Sequence, residues 1–270
     1  MTTPASPGSG VTLYDHPLSP YAQKVRIALR EKAVPFRSLL PSGVGSGAAE
    51  PDFSAASPRG EVPALIDGAV RVFDSTIILE YIEDKWPTPP LMPATPGERA
   101  KARMLEEVMD THYEAINWGL GEIRFFKRAE GSIAARLEAA AAKQTRGFFS
   151  WLEVQLDRRE WFNGERFGWG DLAVIPYLNG SASHGFRPDR QSALEAWRRR
   201  ANARPSVRET GLEAAGAIGA MRDAATRLSG GTMRREYRDH RLEWMIKSGG
   251  LEVVAEGLLQ DNIRFGPDFS

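Results

Sequence analysis

Residues 87–97, PTPPLMPATPG, place five prolines in eleven positions, a density that no helix and no central strand tolerates. Each proline fixes φ and removes a backbone donor, so the segment reads as a stiff linker between two parts of different character. Before it, short apolar runs alternate with turn signals. After it, from residue 98 to about 228, strong helix formers dominate and no strand alternation is present. A length of 270 residues allows about two domains with sizeable cores. The expected organisation is a disordered tail over 1–9, a mixed domain over 10–86, the linker 87–97, a helical domain over 98–228 and an extension over 229–270.

Composition removes several classes of function. Lys plus Arg and Asp plus Glu are both 35, so no net field attracts nucleic acid or an anionic membrane. The opening MTTPASPGSG lacks the basic start and apolar stretch of a signal peptide, and no window approaches the ~20 apolar residues that span a bilayer. A cytoplasmic location, with neither membrane nor nucleic-acid partner, is therefore expected. With no Cys, the chain has no disulfide, no Cys-based zinc site and no thiol nucleophile of its own. His16, His112, His184 and His240 show no i, i+4 pairing, so no metal site is expected.

Within 10–86 the pattern predicts a strand over 11–14, a helix over 20–32 opened by Pro20, and a strand over 34–40. A loop over 41–60 has room for no more than a short helix. Strands over 63–66 and 70–73 flank a hairpin signal at Asp67, Gly68 and Ala69. A helix follows from Ser75, with Ile78, Ile82 and Trp86 on one face. The GVGSGA run at 43–48 fits a dinucleotide-binding pattern, but Pro41 and Ser42 precede it and EPDFSAASP replaces the required helix, so that reading is rejected. In the second half, helices are expected over 98–129 and 132–156, two after the turn at 163–171, one through 194–207 and one ending near 228. Ser229, Gly230 and Gly231 predict a flexible break. Beyond it, Tyr237, Trp244 and Met245 share a helical face, and Leu251, Val254 and Leu258 share another. Such a tail either docks on a partner chain or folds back on its own helical domain.

Three stretches carry chemistry: 16–32 (HPLSPYAQKVRIALREK), 60–68 (GEVPALIDG) and 73–86 (FDSTIILEYIEDKW). Ser19 caps a helix whose N-terminus favours a thiolate. Asp74 and Ser75 head another helix, where a carboxylate and a hydroxyl can receive an α-amino group and an α-carboxylate. With the later ARPSV run and Trp197 three residues before Arg200, these stretches resemble the soluble glutathione transferases over roughly 10–228. The likeness is to the serine-type classes such as tau and zeta and to bacterial or fungal members, here with a C-terminal extension. It implies an α/β thioredoxin-like N-terminal domain (βαβ then ββα) followed by an all-α C-terminal domain, with glutathione as co-substrate and a homodimer as the assembly.

Carried over by resemblance, Ser19 donates to the glutathione sulfur, Val62 pairs its backbone with the cysteinyl part ahead of a cis Pro63, and Asp74 and Ser75 hold the γ-glutamyl group. Arg59 and Glu61 are secondary candidates for the tripeptide's charged ends. Leu18, Tyr21, His112, Tyr113, Asn117 and Trp118 are candidates to line the electrophile pocket, with interhelical packing the alternative for the aromatics. Tyr14 competes with Ser19 for the thiol, although an aromatic in a strand is more often core. The family's Ser or Thr cap three residues before an Asp is replaced by Gly168 ahead of Asp171, a weaker cap, with Phe167 and Leu172 left to form a staple.

The implied activity is conjugation of the glutathione thiolate to a hydrophobic electrophile, as in detoxification. A glutathione-dependent isomerisation or ether cleavage, and a non-catalytic binding or regulatory module, are the alternatives. A thiol of pKa about 8.5 is mostly protonated at neutral pH, and one charge-assisted hydrogen bond of roughly 1.5–3 kcal/mol lowers that pKa by about one to two units. Without a Cys, redox exchange through a mixed disulfide with the protein is excluded.

Overall fold

The computed structural model describes residues 10–42 and 50–266, so the GVGSGA run lies outside the described residues. The chain divides between Pro89 and Pro90 into two compact units. The first contains β1 (Val11–Tyr14), α1 (Pro20–Glu31), β2 (Phe36–Leu39), α2 (Pro51–Ala56), β3 (Ala64–Asp67), β4 (Val70–Phe73) and α3 (Ser75–Lys85). Its sheet order is β2-β1-β3-β4. β1 runs parallel to β2, which requires the crossover through α1, and antiparallel to β3. β3 and β4 form a hairpin whose two-residue loop begins at Gly68, with the φ of 60° that a primed turn needs there. This is the thioredoxin-like order, βαβ then ββα.

Strand alternation sorts the core of this unit. Tyr14 and Ala64 pair on one face and pack with Phe53 and Ala56 of α2, the Tyr14 and Phe53 rings lying 5.3 Å apart. Leu13 and Leu65 pair on the other face and are fully buried, and α1 packs against α3. A buried ion pair fixes the end of β1 against α1: Arg26 Nε and Nη2 donate to Asp15 at 2.5 and 2.7 Å. Lys32, fully buried, closes the far end of α1 by donating to the Trp86 and Pro89 carbonyls at 2.5 and 2.8 Å.

The second unit is helical. α4 (Pro96–Val108) begins inside the proline-rich segment, because Pro96 suits the first helical position and Thr95 caps it. A π-helical turn over Met109–Tyr113 leads directly into α5 (Glu114–Arg124). α6 (Gly131–Leu156), α7 (Trp169–Ser183), α8 (Ala193–Ala203), α9 (Pro205–Ala217) and α10 (Ala224–Ser229) follow. The single helix expected through 194–207 is two, since Arg204 precedes Pro205 and adopts ψ 136°. The expected flexible break is a closed turn: Gly231 N–H donates to Leu228 O at 3.1 Å and the Thr232 hydroxyl to Arg227 O at 2.9 Å. Beyond it, β5 (Arg235–Glu236) pairs in parallel with β6 (Ile263–Arg264) around α11 (Asp239–Lys247) and α12 (Leu251–Leu259).

α7 is apolar and buried along most of its length, as expected of the central helix of a unit. Its start is organised by Asp171, whose carboxylate accepts the N–H groups of Phe162 (2.8 Å), Asn163 (3.3 Å) and Gly168 (3.0 Å) and the Trp197 indole N–H (2.7 Å). Burial pushes this carboxyl up, to about 6, against the pull of those four donors. The cap glycine has a steric cause: a Cβ on Gly168 would lie 2.1 Å from Asn163 Nδ2 and 2.3 Å from the Leu91 carbonyl oxygen. Gly168→Ser is therefore expected to destabilise the chain by roughly 1–3 kcal/mol despite adding a better cap, and urea denaturation of the variant checks it.

Candidate functional site

Tyr14 opposes Ala64, and Ala64 opposes Phe73. β1 ends, β3 begins and β4 ends on this one row, so residues 15–19, 61–63 and 74–75 leave the sheet from the same edge. Ser19 caps α1, its Oγ accepting the Ala22 N–H at 3.3 Å, which leaves the hydroxyl hydrogen to donate elsewhere at the positive end of the helix. Tyr14 is buried on Phe53, so its ring belongs to the core, and burial together with the charges of Asp52 and Glu50 raises its pKa.

The Val62-Pro63 peptide bond is cis. Pairing of β3 starts at Ala64, which puts the Val62 main chain outside the ladder register. The Ser57 hydroxyl holds the preceding residue by its main chain, donating to Glu61 O at 2.8 Å and accepting Glu61 N–H at 3.2 Å. Asp74 sits at φ 73°, ψ 126°, a backbone conformation that L residues rarely adopt. Its Oδ1 caps the Thr76 N–H at 3.1 Å, while Oδ2 lies 3.5 Å from Arg59 Nη1. The Arg59 guanidinium also rests 5.2 Å from the Phe73 ring centroid. Both partners of this pair keep about a third of their side-chain surface exposed, so it is weak enough to exchange for a ligand's charges. Ser75 is buried in the first turn of α3, whose N–H groups have no partner within the helix. The Ser57 clamp has no signature in the sequence, because a Ser in a loop carries no signal of which main chain it will hold.

Comparison with known proteins identifies the family. The family model described as glutathione S-transferase, N-terminal domain, matches residues 13–90, and the one described as glutathione S-transferase, C-terminal domain, matches 122–205. A stringent starvation protein A homolog of Pasteurella multocida is 30% identical over 178 residues, 66% of this chain and 78% of that protein. FtsZ-localized protein A of Caulobacter vibrioides is 29% identical over 207 residues, 73% of this chain and 89% of that protein. The crystal structure of a glutathione S-transferase from Rhodospirillum rubrum superposes with a TM-score of 0.65 at 27% identity, covering 74% of this chain and 91% of that one. The chain belongs to the soluble glutathione transferase superfamily.

As a glutathione transferase fold, the chain distributes its six pocket candidates unevenly. Leu18 and Tyr21 are half-buried at the head of α1, and His112 is exposed on the π-helical turn. Tyr113 is fully buried, its hydroxyl 2.9 Å from Ser181 Oγ and its ring edge-on to Phe148 at 5.0 Å. Asn117 donates to Tyr177 O at 2.9 Å and accepts the Ser181 hydroxyl at 2.8 Å. Trp118 is buried edge-on to Tyr237 at 4.7 Å. Tyr113 and Trp118 are thus packed within the second unit, and Asn117 is tied to α7 by hydrogen bonds. Among the described residues no His, Cys, Asp or Glu group could hold a metal ion, and no helix is long and apolar enough to cross a membrane.

Trp118 is covered by the C-terminal extension. Glu114, Trp118 and Glu122 recur every four residues and so form one stripe along α5. Glu114 accepts Arg241 Nη2 and Nε at 2.7 and 3.1 Å and meets His240 Nε2 at 3.1 Å. Glu122 accepts Arg235 Nε at 2.5 Å and the Tyr237 hydroxyl at 3.3 Å. Between them the Trp118 ring lies 5.4 Å from the Arg241 guanidinium and 5.8 Å from that of Arg235. Trp244 lies on Gly119 so closely that a Cβ there would fall 2.1 Å from its ring. Tyr237 and Trp244 are therefore interior residues, and the extension is folded back on its own helical unit instead of presenting them to a partner.

Burial pushes the Glu114 carboxyl up, but the Arg241 charge and the hydrogen bonds of His240 and Arg241 overcome it and hold the group at about 2, against 4.5 in an unperturbed chain. The folded state thus favours the carboxylate. Its contribution is complete above pH 4.5 and is lost as pH falls toward 2. Urea denaturation from pH 7 down to pH 3 is expected to show this loss in the wild-type chain. Glu114→Gln should remove that part of the pH dependence and lower stability at neutral pH by about 3–5 kcal/mol, because the Arg241 guanidinium loses the buried carboxylate it faces.

Proposed function

We propose that this chain binds glutathione at the β1–β3–β4 edge of its first unit and that the Ser19 hydroxyl stabilises the thiolate for attack on a hydrophobic electrophile. The observation that carries the reading is the row Tyr14, Ala64 and Phe73, which gathers a capping Ser, a cis Pro and an Asp-Ser helix start at one edge. In this reading Ser19 donates one hydrogen bond to the sulfur while the N-terminus of α1 adds a field of the same sign. The Val62 main chain pairs with the cysteinyl backbone. Asp74 receives the α-amino group, the Ser75 hydroxyl and the first turn of α3 receive the α-carboxylate, and Arg59 and Glu61 stand beside the tripeptide's charged ends. Rate then comes from ground-state ionisation and positioning, with no covalent intermediate on the protein. A homodimer in the cytoplasm is the assembly and location that fit the family.

A second reading is favoured by the relatives' names. Stringent starvation protein A and FtsZ-localized protein A are not named for a transferase reaction, so a glutathione-binding regulatory module is the competing class. Turnover with a generic aryl halide separates the two, since a module binds glutathione without conjugating it. A specialised isomerisation or ether cleavage would show glutathione-dependent turnover only with other substrates.

Two variants test the residue roles. Ser19→Ala is expected to move the pH midpoint of activity up by about one to two units and to lower turnover near neutral pH, with glutathione affinity almost unchanged. Initial rates across pH 5.5–9.5 measure it, and unchanged rates would remove Ser19 from the mechanism. Asp74→Asn keeps an acceptor for the Thr76 N–H and tolerates positive φ but loses the charge, so calorimetric glutathione affinity should fall about tenfold with thermal stability little changed.

A further inference from the structure

Four residues lie between the end of β1 and the cap of α1 at Ser19, and two side chains hold them in one conformation. His16 Nδ1 accepts the Leu18 N–H at 3.1 Å, and the His16 carbonyl accepts the Ser19 N–H at 2.9 Å. From inside α1, Gln23 Nε2 reaches back and donates to the Pro17 carbonyl at 2.8 Å, while its own N–H donates to Ser19 O at 3.0 Å. Pro17 has no N–H and its φ is fixed by its ring. The buried Asp15–Arg26 pair anchors the start of this turn.

A side-chain acceptor that takes the N–H two residues on is the geometry of an Asx-turn, here with the imidazole Nδ1 where Asn or Asp would offer Oδ1. Because the Leu18 N–H can only donate, Nδ1 must carry a lone pair and not a hydrogen. The Ser19 Oγ is held by one rather long bond, 3.3 Å from the Ala22 N–H, so its direction depends on where the backbone of residue 19 is placed. A displacement of about 1 Å at a reacting group is enough to cost up to a hundredfold in rate.

We infer that His16 and Gln23 are positioning residues: together they clamp the Pro17–Leu18 turn and so aim the Ser19 hydroxyl at the thiol sulfur. The inference rests on the reading of Ser19 given under Proposed function. His16 needs no contact with substrate for this role, and any residue that offers an acceptor at the same reach should replace it. Asn does so and Ala does not.

The test is the pH titration of thiolate absorbance for glutathione bound to the purified full-length chain, with kcat and KM for glutathione measured alongside. His16→Ala is expected to raise the thiol pKa by about half a unit to one unit and to lower kcat near neutral pH, with KM unchanged. His16→Asn should restore the wild-type titration, and Gln23→Ala should shift it in the same direction as His16→Ala. A wild-type titration curve in both alanine variants would overturn the inference, as would a His16→Asn variant that is stably folded yet titrates like His16→Ala. If His16→Ala does not fold, Gln23→Ala and His16→Asn decide alone. A wild-type chain that does not lower the thiol pKa, or a Ser19→Ala chain that titrates like it, overturns the reading of Ser19 itself, and the positioning role falls with it.

Discussion

The pairing of Tyr14 with Ala64 and of Ala64 with Phe73 is the constraint on which the site depends. Strand side chains alternate, so a slip of one residue in either pairing would send Tyr14 or Ala64 to the face now occupied by Leu13 and Leu65. It would also separate the Ser19 turn from Pro63 and Asp74. The register is held from both faces, by Phe53 and Ala56 of α2 on the Tyr14 side and by the fully buried Leu13–Leu65 pair on the other. The core of the first unit and the geometry of its edge are thus one arrangement. The Asp74 backbone, with its φ of 73°, is tolerated at this edge because its carboxylate caps α3 and faces Arg59.

The second unit has its own organising contact. Burying Glu114 and Glu122 on one face of α5 would be strongly unfavourable if either stood alone; the extension supplies Arg241 to Glu114 and Arg235 to Glu122, and Arg128 lies 3.3 Å from Glu122 as well. The Trp118 ring, Tyr237 and Trp244 fill the space between these ionic ends. Gly119 permits the close approach of Trp244, since any side chain there would occupy the indole's position. Tyr237, Trp244, Met245, Val253, Val254 and Ile263 of the extension therefore belong to the helical unit's core, although the matched family domain ends at residue 205, while Leu251 and Leu258 stay exposed.

The parts legible in the sequence were those with local causes. Ser19 before Pro20, Asp74 before Ser75 and the Asp67-Gly68 turn each set backbone conformation through their own chemistry, and the strand and helix order of the first unit followed from them. Less legible were effects that act across the chain. Tyr113 and Trp118 have the same spacing whether they line a pocket or pack between helices, and it takes distant contacts, such as Ser181 and Tyr237, 68 and 119 residues away, to show that they pack. Gly168 has the sequence signature of a weak cap, and the reason for it, the Leu91 carbonyl where its Cβ would be, lies far away in the chain. The Arg235 and Arg241 partners lie 113 and 127 residues from their carboxylates, so nothing local marked them as interior. The break at Arg204, by contrast, has a local signal in Pro205, which the expectation of a single helix over 194–207 passes over.

The central claim is that three separated segments of the first unit form one glutathione site. An NMR titration of the isotopically labelled full-length chain with glutathione tests it most directly. The backbone amides of Ser19, Val62 and Ser75 should shift along one common binding curve, while amides in α7 stay still. Absence of binding, or shifts in one of these segments without the other two, would contradict the account.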